Sequence, residues 1–181
     1  MVILNRCRQS FQTTDHQFGF KPAHGTDMAI YAVKEISDYY IRNKSPVYIC
    51  YLDARKAFDR VNHWKLFKKL LDRGVNTKLV KLLVEWYGSQ LFHVKWGDVT
   101  TSGFNVDNGV RQGGIISPFL FNVYIDSLSS ALDSTGVGCH YLGSLNHIAY
   151  ADDVIFLSPS AYGLQVLLNT CEKFANEHDI V

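Results

Sequence analysis

Tyr150-Ala151-Asp152-Asp153 constrains this chain more than any other stretch. Two aspartates in a short turn, with the apolar segments Tyr141 to Leu145 before it and Val154 to Leu157 after it, predict a hairpin whose tip concentrates negative charge. A second apolar run, Val47-Tyr48-Ile49-Cys50-Tyr51-Leu52, has the length and residue types of a buried strand and ends at Asp53. If these strands lie side by side, three carboxylates meet at the rim of a sheet. Hard cations such as Mg2+ favour that donor set, completed by water and phosphate oxygens. Two such ions, roughly 4 Å apart, activate an attacking hydroxyl and stabilise a leaving pyrophosphate. By itself an Asp-Asp turn is also a common solvated turn, so the acids alone do not decide between the two.

Composition limits the alternatives. A chain of 181 residues, 47% apolar and 13% aromatic, can bury one sizeable core, or one domain with part of a second, and is too apolar to stay disordered. Eighteen basic against seventeen acidic residues exclude the global positive field of a strongly basic nucleic-acid binder. Any polyanion must be met locally. The densest basic run, Lys65, Lys68, Lys69, Arg73, Lys78 and Lys81, falls in helical patterns and reads as a solvated outer face. Cys7, Cys50, Cys139 and Cys171 are widely spaced, Cys50 and Cys171 on apolar faces, and read as reduced core thiols of an intracellular protein. Cys139, His140 and His147 lack a fourth partner at zinc spacing, and the histidines otherwise look scattered. No apolar run approaches the roughly 18 residues of a membrane span, and Met1 to Gln12 is no secretory signal. The expectation is an intracellular protein with no membrane partner, with nucleus and cytoplasm both open. Leu164 to Val181 stops on Ile180-Val181 without a polar tail, so neither terminus reads as a domain edge.

Along the chain, Thr26 or Asp27 is placed to cap a helix with Ile30, Val33, Ile36 and Tyr40 on one face, ended by Ser45-Pro46. After the strand to Asp53, Asn62 caps a helix burying Trp64, Phe67, Leu70 and Leu71 and stopped by Gly74. Asn76 begins another, burying Leu79, Leu82, Leu83 and Trp86 before Gly88. Leu91 to Trp96 and Thr100 to Val106 flank Gly97-Asp98 as a hairpin. Gly109 to Gly114 is too glycine-rich for a regular element. Ser117-Pro118 then supplies an N-cap and a first-turn proline for a helix carrying Phe121, Tyr124, Ile125 and Leu128. Beyond Ser158-Pro159, Leu164, Leu167, Leu168, Cys171 and Phe174 mark a last amphipathic helix. The order predicts an α+β fold, an antiparallel sheet covered by helices on one face.

Three segments extend the acidic turn into a pattern: Leu52-Asp53-Ala54-Arg55-Lys56-Ala57-Phe58-Asp59, Gly109-Val110-Arg111-Gln112-Gly113-Gly114-Ile115-Ile116-Ser117-Pro118-Phe119-Leu120-Phe121-Asn122, and Tyr150-Ala151-Asp152-Asp153. With these in place the chain closely resembles a reverse transcriptase of the kind encoded by non-LTR (LINE-like) retrotransposons. The segments resemble that family's first metal-binding motif, its glutamine-glycine motif with the Ser-Pro helix start, and its Tyr-x-Asp-Asp motif, in the family's order. Gln17-Phe18-Gly19-Phe20-Lys21 with Gly25-Thr26 is similar to the fingers segment that precedes them. The resemblance runs from about Gln17 onward.

It implies a polymerase palm with an antiparallel sheet packed on helices, plus part of the fingers: residues 1–45 as a fingers remnant and 46–181 as mainly palm. It also implies a partial reverse transcriptase domain, the early fingers and the thumb falling outside the chain. By resemblance, Asp53, Asp152 and Asp153 are the catalytic and metal-binding acids, for two Mg2+ ions with Mn2+ as a substitute. Ala54, Phe58, Gln112 and Gly113 would contact the incoming deoxynucleoside triphosphate, and Arg111 and Tyr150 an RNA template with its DNA primer. Phe58 matches the aromatic beneath the incoming sugar, where a ring clashes with a ribose 2′-hydroxyl. The residues themselves also allow Phe58 as a core aromatic, Arg111 as a salt-bridge partner and Tyr150 as a sheet filler. Asp59 is expected to fix the turn before the Asn62 helix, and Asp126 to face solvent. The implied activity is RNA-templated DNA synthesis. The alternatives are a non-catalytic remnant that binds RNA or protein, and another two-metal phosphotransferase or an RNA-templated RNA polymerase.

Overall fold

The computed structural model describes residues 2–7, 9–141 and 143–180, so expectations that fall on Met1, Arg8, Leu142 and Val181 lie outside the described residues. Helix α1 spans Val2–Arg6, α2 Thr26–Arg42, α3 His63–Asp72, α4 Thr77–Gly88, α5 Ser117–Asp133 and α6 Ala161–His178. The strands are β1 Tyr48–Asp53, β2 Lys95–Trp96, β3 Val99–Thr100, β4 Cys139–His140, β5 Ser144–Leu145, β6 His147–Tyr150 and β7 Asp153–Ser158, with a 3-10 turn at Ala57–Arg60.

β1, β7 and β6 form the central antiparallel sheet, with β7 in the middle. Tyr150 pairs with Asp153 and Ala149 with Val154, leaving a two-residue loop of Ala151 and Asp152. The first arm of the hairpin is therefore β6. The segment Tyr141 to Leu145, predicted for that role, instead contributes β5 to a small separate hairpin with β4. A two-residue loop pairs the residues immediately beside it, so register overrides hydropathy in choosing the arm.

Helices cover both faces of this sheet, not one as expected. Leu52, Val154 and Phe156 face Leu128 and Leu132 of α5 and Leu167 and Cys171 of α6. Their alternates Ile49, Ile155 and Leu157 face Ile36 and Tyr40 of α2. Strands apolar on both faces need cover on both. A third cluster, with Leu66, Leu70, Leu83 and Tyr124, joins α3, α4 and α5.

The helix pair α3 and α4 is rotated from the predicted frame: His63, Leu66, Phe67 and Leu70 are buried on α3, and Val80, Leu83 and Tyr87 on α4. Trp64, Leu71, Leu82 and Trp86 are exposed. His63 sets this rotation, because its Nε2 bonds the Gly109 carbonyl at 2.7 Å and its ring meets Tyr87 edge-on at 4.8 Å. On α2, likewise, Ala29 is buried and Ile30 exposed. Asn62, Asn76 and Ser160 cap α3, α4 and α6 by accepting the backbone N–H of Lys65, Lys78 and Gly163. At α2 and α5 the cap positions belong to Gly25 and Ile116, and Thr26 and Ser117 are the first helical residues.

Half of the basic run is structural. Lys69 Nζ donates to the Tyr124 carbonyl at 2.6 Å and lies 5.3 Å from the rings of Tyr124 and Phe174; burial pushes its amine down to about 8. Lys65 donates to the Glu177 carbonyl and pairs with Asp179 at 3.0 Å. Arg73 pairs with Asp126, whose side chain is only 12% exposed and also accepts the Thr14 N–H at 2.8 Å. Asp126 is thus an internal anchor and not the solvent-facing residue expected.

His16, Asp133 and His147 come together with possible ligand atoms within 4.8 Å of one another, a cluster invisible in the sequence. It is a polar pin. Asn146 Nδ2 donates to the Leu132 carbonyl, which turns its Oδ1 toward His147 Nδ1 at 2.6 Å, while Ser129 Oγ meets Nε2 at 2.8 Å. Nδ1 therefore carries the proton and Nε2 accepts the Ser129 hydroxyl, so both ring nitrogens are committed. Burial, with His16 adding to it, lowers His147 from 6.5 to about 3, so its 4.0 Å approach to Asp133 is not an ion pair. Below pH 6.5 the unfolded imidazole binds a proton that the folded one refuses, so stability is full above 6.5 and falls with acidity until about 3. Between pH 6.5 and 5 this loss should approach about 2 kcal/mol. Melting curves across that range should show a shallower slope for His147→Gln; equal slopes would contradict the assignment.

Candidate active site

Asp53 ends β1 and stands directly opposite Asp153, the first residue of β7. Asp152 lies in the loop beside them. Burial raises the Asp152 carboxyl above its ordinary value, and the charges of Asp153 and Asp53 raise it further. The register thus sets Asp53 and Asp153 at one end of the sheet with Asp152 in the adjoining loop, although among the described residues their carboxylate oxygens do not gather as closely as the ligand atoms of His16, Asp133 and His147. An all-oxygen donor set with excess negative charge fits a hard divalent cation. Asp53, Ala54 and Asp152 line one cavity of about 350 Å³, whose apolar floor includes Leu52, Phe121 and Val154.

The second segment reaches the site through backbone pairing. Val110 donates to the Phe58 carbonyl at 2.8 Å and Gly109 to the Val61 carbonyl at 2.7 Å, which ties the glycine loop to the turn after β1. Gln112 Nε2 lies 3.4 Å from Asp59 Oδ1, so Asp59 joins the turn to the loop. Phe58 stacks on Phe121 at 4.3 Å and 11° between planes, half-buried, so its packing role is real whatever else it does. Gly113 has φ 80°, a left-handed backbone that favours glycine. Arg111 lies 5.5 Å from the Phe92 ring and, among the described residues, makes no salt bridge. Arg111 and Gly113 line a different cavity, with Ile3, Leu4 and Tyr87, so they do not share the aspartate cavity. Tyr150 is half-buried across from Asp153.

One contributor was missed in the sequence. Ala151 carries φ 57°, a conformation that costs a residue with a Cβ roughly 1–2 kcal/mol. Buried Gln17 brackets it: the Ala151 N–H donates to Gln17 Oε1 at 2.9 Å, and Gln17 Nε2 donates to the Ala151 carbonyl at 3.2 Å. Gln17 stands in the fingers-like segment, but nothing in the sequence pairs it with a residue 134 positions away.

An antiparallel sheet that sets a strand-end aspartate against an Asp-Asp hairpin, with helices behind it, is the palm of a nucleic-acid polymerase, here with part of the fingers. The apo telomerase structure from Candida Tropicalis has the same fold, with a TM-score of 0.68 at 14% identity, covering 99% of this chain and 34% of that one. A telomerase from Candida Tropicalis in complex with a fragment of telomeric RNA gives a TM-score of 0.67 at 14% identity over 98% of this chain and 30% of that one.

The chain belongs to the reverse transcriptase (RNA-dependent DNA polymerase) family, whose model matches residues 1–181. Among curated relatives it is 29% identical over 177 residues to the Pol polyprotein of the type-2 retrotransposable element R2DM of Drosophila melanogaster, covering 96% of this chain and 16% of that protein. It is 28% identical over 163 residues to the RNA-directed DNA polymerase from mobile element jockey of Drosophila funebris, covering 88% of this chain and 17% of that protein. The chain therefore spans about a sixth of the length of these relatives, and its likeness is to the enzymes of non-LTR elements. Among the described residues no helix is long and apolar enough to cross a membrane.

Proposed function

We propose that this chain carries the polymerisation centre of a retroelement enzyme that copies RNA into DNA by two-metal nucleotidyl transfer. The observation that carries the proposal is the register placing Asp53 opposite Asp153, with Asp152 in the adjoining loop. Asp53 and Asp152 are the principal ligands for two Mg2+ ions, Mn2+ being a substitute, and Asp153 adds charge. Bound there, divalent ions supply Lewis-acid stabilisation of the reacting phosphate and lower the pKa of the primer hydroxyl. The primer 3′-oxygen would lose its proton to solvent and bond to the α-phosphorus, while the bond from that phosphorus to the α,β-bridging oxygen breaks and pyrophosphate leaves.

The remaining roles are positional. Ala54 and Phe58 on the turn after β1, and Gln112 and Gly113 on the glycine loop that is paired to that turn though it lines a neighbouring cavity, form the bed of the deoxynucleoside triphosphate, with Phe58 under the sugar. Tyr150 supports the primer end and Arg111 meets the template backbone. Residues 1–45 are fingers and 46–181 mainly palm. An RNA partner is supported by the family membership and by the RNA named in the telomerase complex.

Extension of a DNA primer on an RNA template, with Mg2+ and deoxynucleoside triphosphates, tests the proposal. Incorporation that requires Mg2+ supports it; a folded chain that incorporates nothing supports a non-catalytic binding module instead. A second expectation concerns the sugar. Phe58→Ala should raise the kcat/KM for ribonucleotides relative to deoxynucleotides by about 10- to 100-fold, the range one steric contact provides. The ratio is the readout because the variant also loses the Phe121 stack, worth about 1 kcal/mol beyond its area. An unchanged ratio would remove Phe58 from the sugar site.

A further inference from the structure

Gln17 is 3% exposed, and its three side-chain hydrogen bonds all go to the hairpin tip and its own turn. Its Oε1 accepts the N–H of Ala151 at 2.9 Å and of Gly19 at 2.8 Å, and its Nε2 donates to the Ala151 carbonyl at 3.2 Å. One side chain therefore closes both backbone polar groups of the residue between Tyr150 and Asp152. That residue needs it. Ala151 is only 6% exposed, lies beyond the last paired residues of the hairpin, and holds φ at 57°. Buried peptide groups without partners would drive the loop to another conformation.

Gln17 is itself fixed by its neighbours. The N–H of Phe18 donates to the Ala149 carbonyl at 2.7 Å and the N–H of Ala149 to the His16 carbonyl at 2.8 Å, so the segment extends the sheet beside β6. A Cβ on Gly19 would collide with the Ala151 amide nitrogen, so only glycine permits this approach. Buried Asn122 of α5 holds the Gly19 carbonyl at 2.7 Å. The clamp thus has its own scaffold.

We propose that Gln17 is a positioning residue for nucleotidyl transfer: by locking Ala151 in its left-handed conformation it fixes where the Asp152 carboxylate stands relative to Asp53. The proposal rests on the reading of Asp53 and Asp152 as metal ligands. Rotation of Ala151 to the ordinary backbone region would swing the next residue, Asp152, away from the rim. Glutamine suits the task because it donates and accepts at once; glutamate accepts but leaves the Ala151 carbonyl facing a carboxylate, and methionine fills the space with no hydrogen bond.

The test uses the full chain and two readouts, amide hydrogen exchange at Ala151 and Mn2+ affinity by electron paramagnetic resonance. Gln17→Met should speed Ala151 exchange and weaken Mn2+ binding, each by roughly tenfold, the factor that losing a hydrogen bond gives. Adding Ala151→Gly should restore Mn2+ affinity, because glycine adopts the left-handed conformation without the clamp. Gln17→Glu, which keeps both accepted bonds, should lie between and stands in if Gln17→Met does not fold. Unchanged exchange and affinity in these variants overturn the proposal, as does a failure of Ala151→Gly to rescue. Asp152→Asn separates the two claims. If it leaves Mn2+ binding intact, the metal reading fails, and Ala151 exchange alone decides whether Gln17 holds the turn.

Discussion

Asp152→Asn is expected to lower RNA-templated primer extension by about 10³-fold or more, since metal-ion charge stabilisation is worth several kcal/mol and each 1.36 kcal/mol is tenfold in rate. The same substitution should leave the melting temperature unchanged or raise it. Burial and the charges of Asp153 and Asp53 hold the Asp152 carboxyl above its ordinary value, so the fold disfavours this carboxylate. For an acid whose folded pKa is raised, ionisation with rising pH subtracts from stability, and an uncharged amide removes that loss. Activity and stability therefore move in opposite directions. A structural aspartate gives the reverse pattern, so primer extension and thermal melts on one preparation discriminate the two. Retained activity in Asp152→Asn would remove this residue from the reaction.

The second large effect lies away from the rim. Arg73→Ala should destabilise the fold by about 3 kcal/mol, no more than the lower end of what stranding one partner of a buried pair costs, because this pair is part-buried. For a chain of 181 residues that corresponds to a fall of roughly 6–12 °C in Tm. Arg73 pairs with Asp126 and donates to the Gln12 carbonyl at 2.7 Å, and Asp126 accepts the Thr14 N–H. One guanidinium thus ties α3 and α5 to the segment that leads into Gln17. Asp126→Asn should cost less, because its amide oxygen still accepts from Thr14. Chemical denaturation of both variants checks this; a loss within about 0.5 kcal/mol for Arg73→Ala would place the pair among ordinary surface ion pairs.

Asp53, Asp152 and Asp126 show which placements a sequence conveys. The placement of Asp53 near Asp152 was legible because strand periodicity and turn chemistry are local, and two strands ending in acids can meet in few ways. Asp126 was not. Its spacing on α5 is that of a polar-face residue, and only α3 supplies the guanidinium that takes it inside. His63 and Trp64 make the same point: adjacent positions exchanged burial because the Gly109 carbonyl and the Tyr87 ring select the histidine. The arm before the aspartates was misplaced because hydropathy alone does not specify register. Gln17 stood within a recognised segment, but its work is done across the fold, on a backbone whose left-handed turn is not encoded by a glycine.

Whether Asp53 and Asp152 hold the cations of nucleotidyl transfer at one rim of the sheet is open to crystallography. Crystals of the chain grown with Mn2+ and a non-hydrolysable deoxynucleoside triphosphate, measured for anomalous scattering, address it directly. Anomalous peaks are expected between Asp53 and Asp152, with the triphosphate over the Phe58 turn. Peaks confined to His16 and Asp133, or no peak at the rim with the triphosphate bound elsewhere, would contradict it.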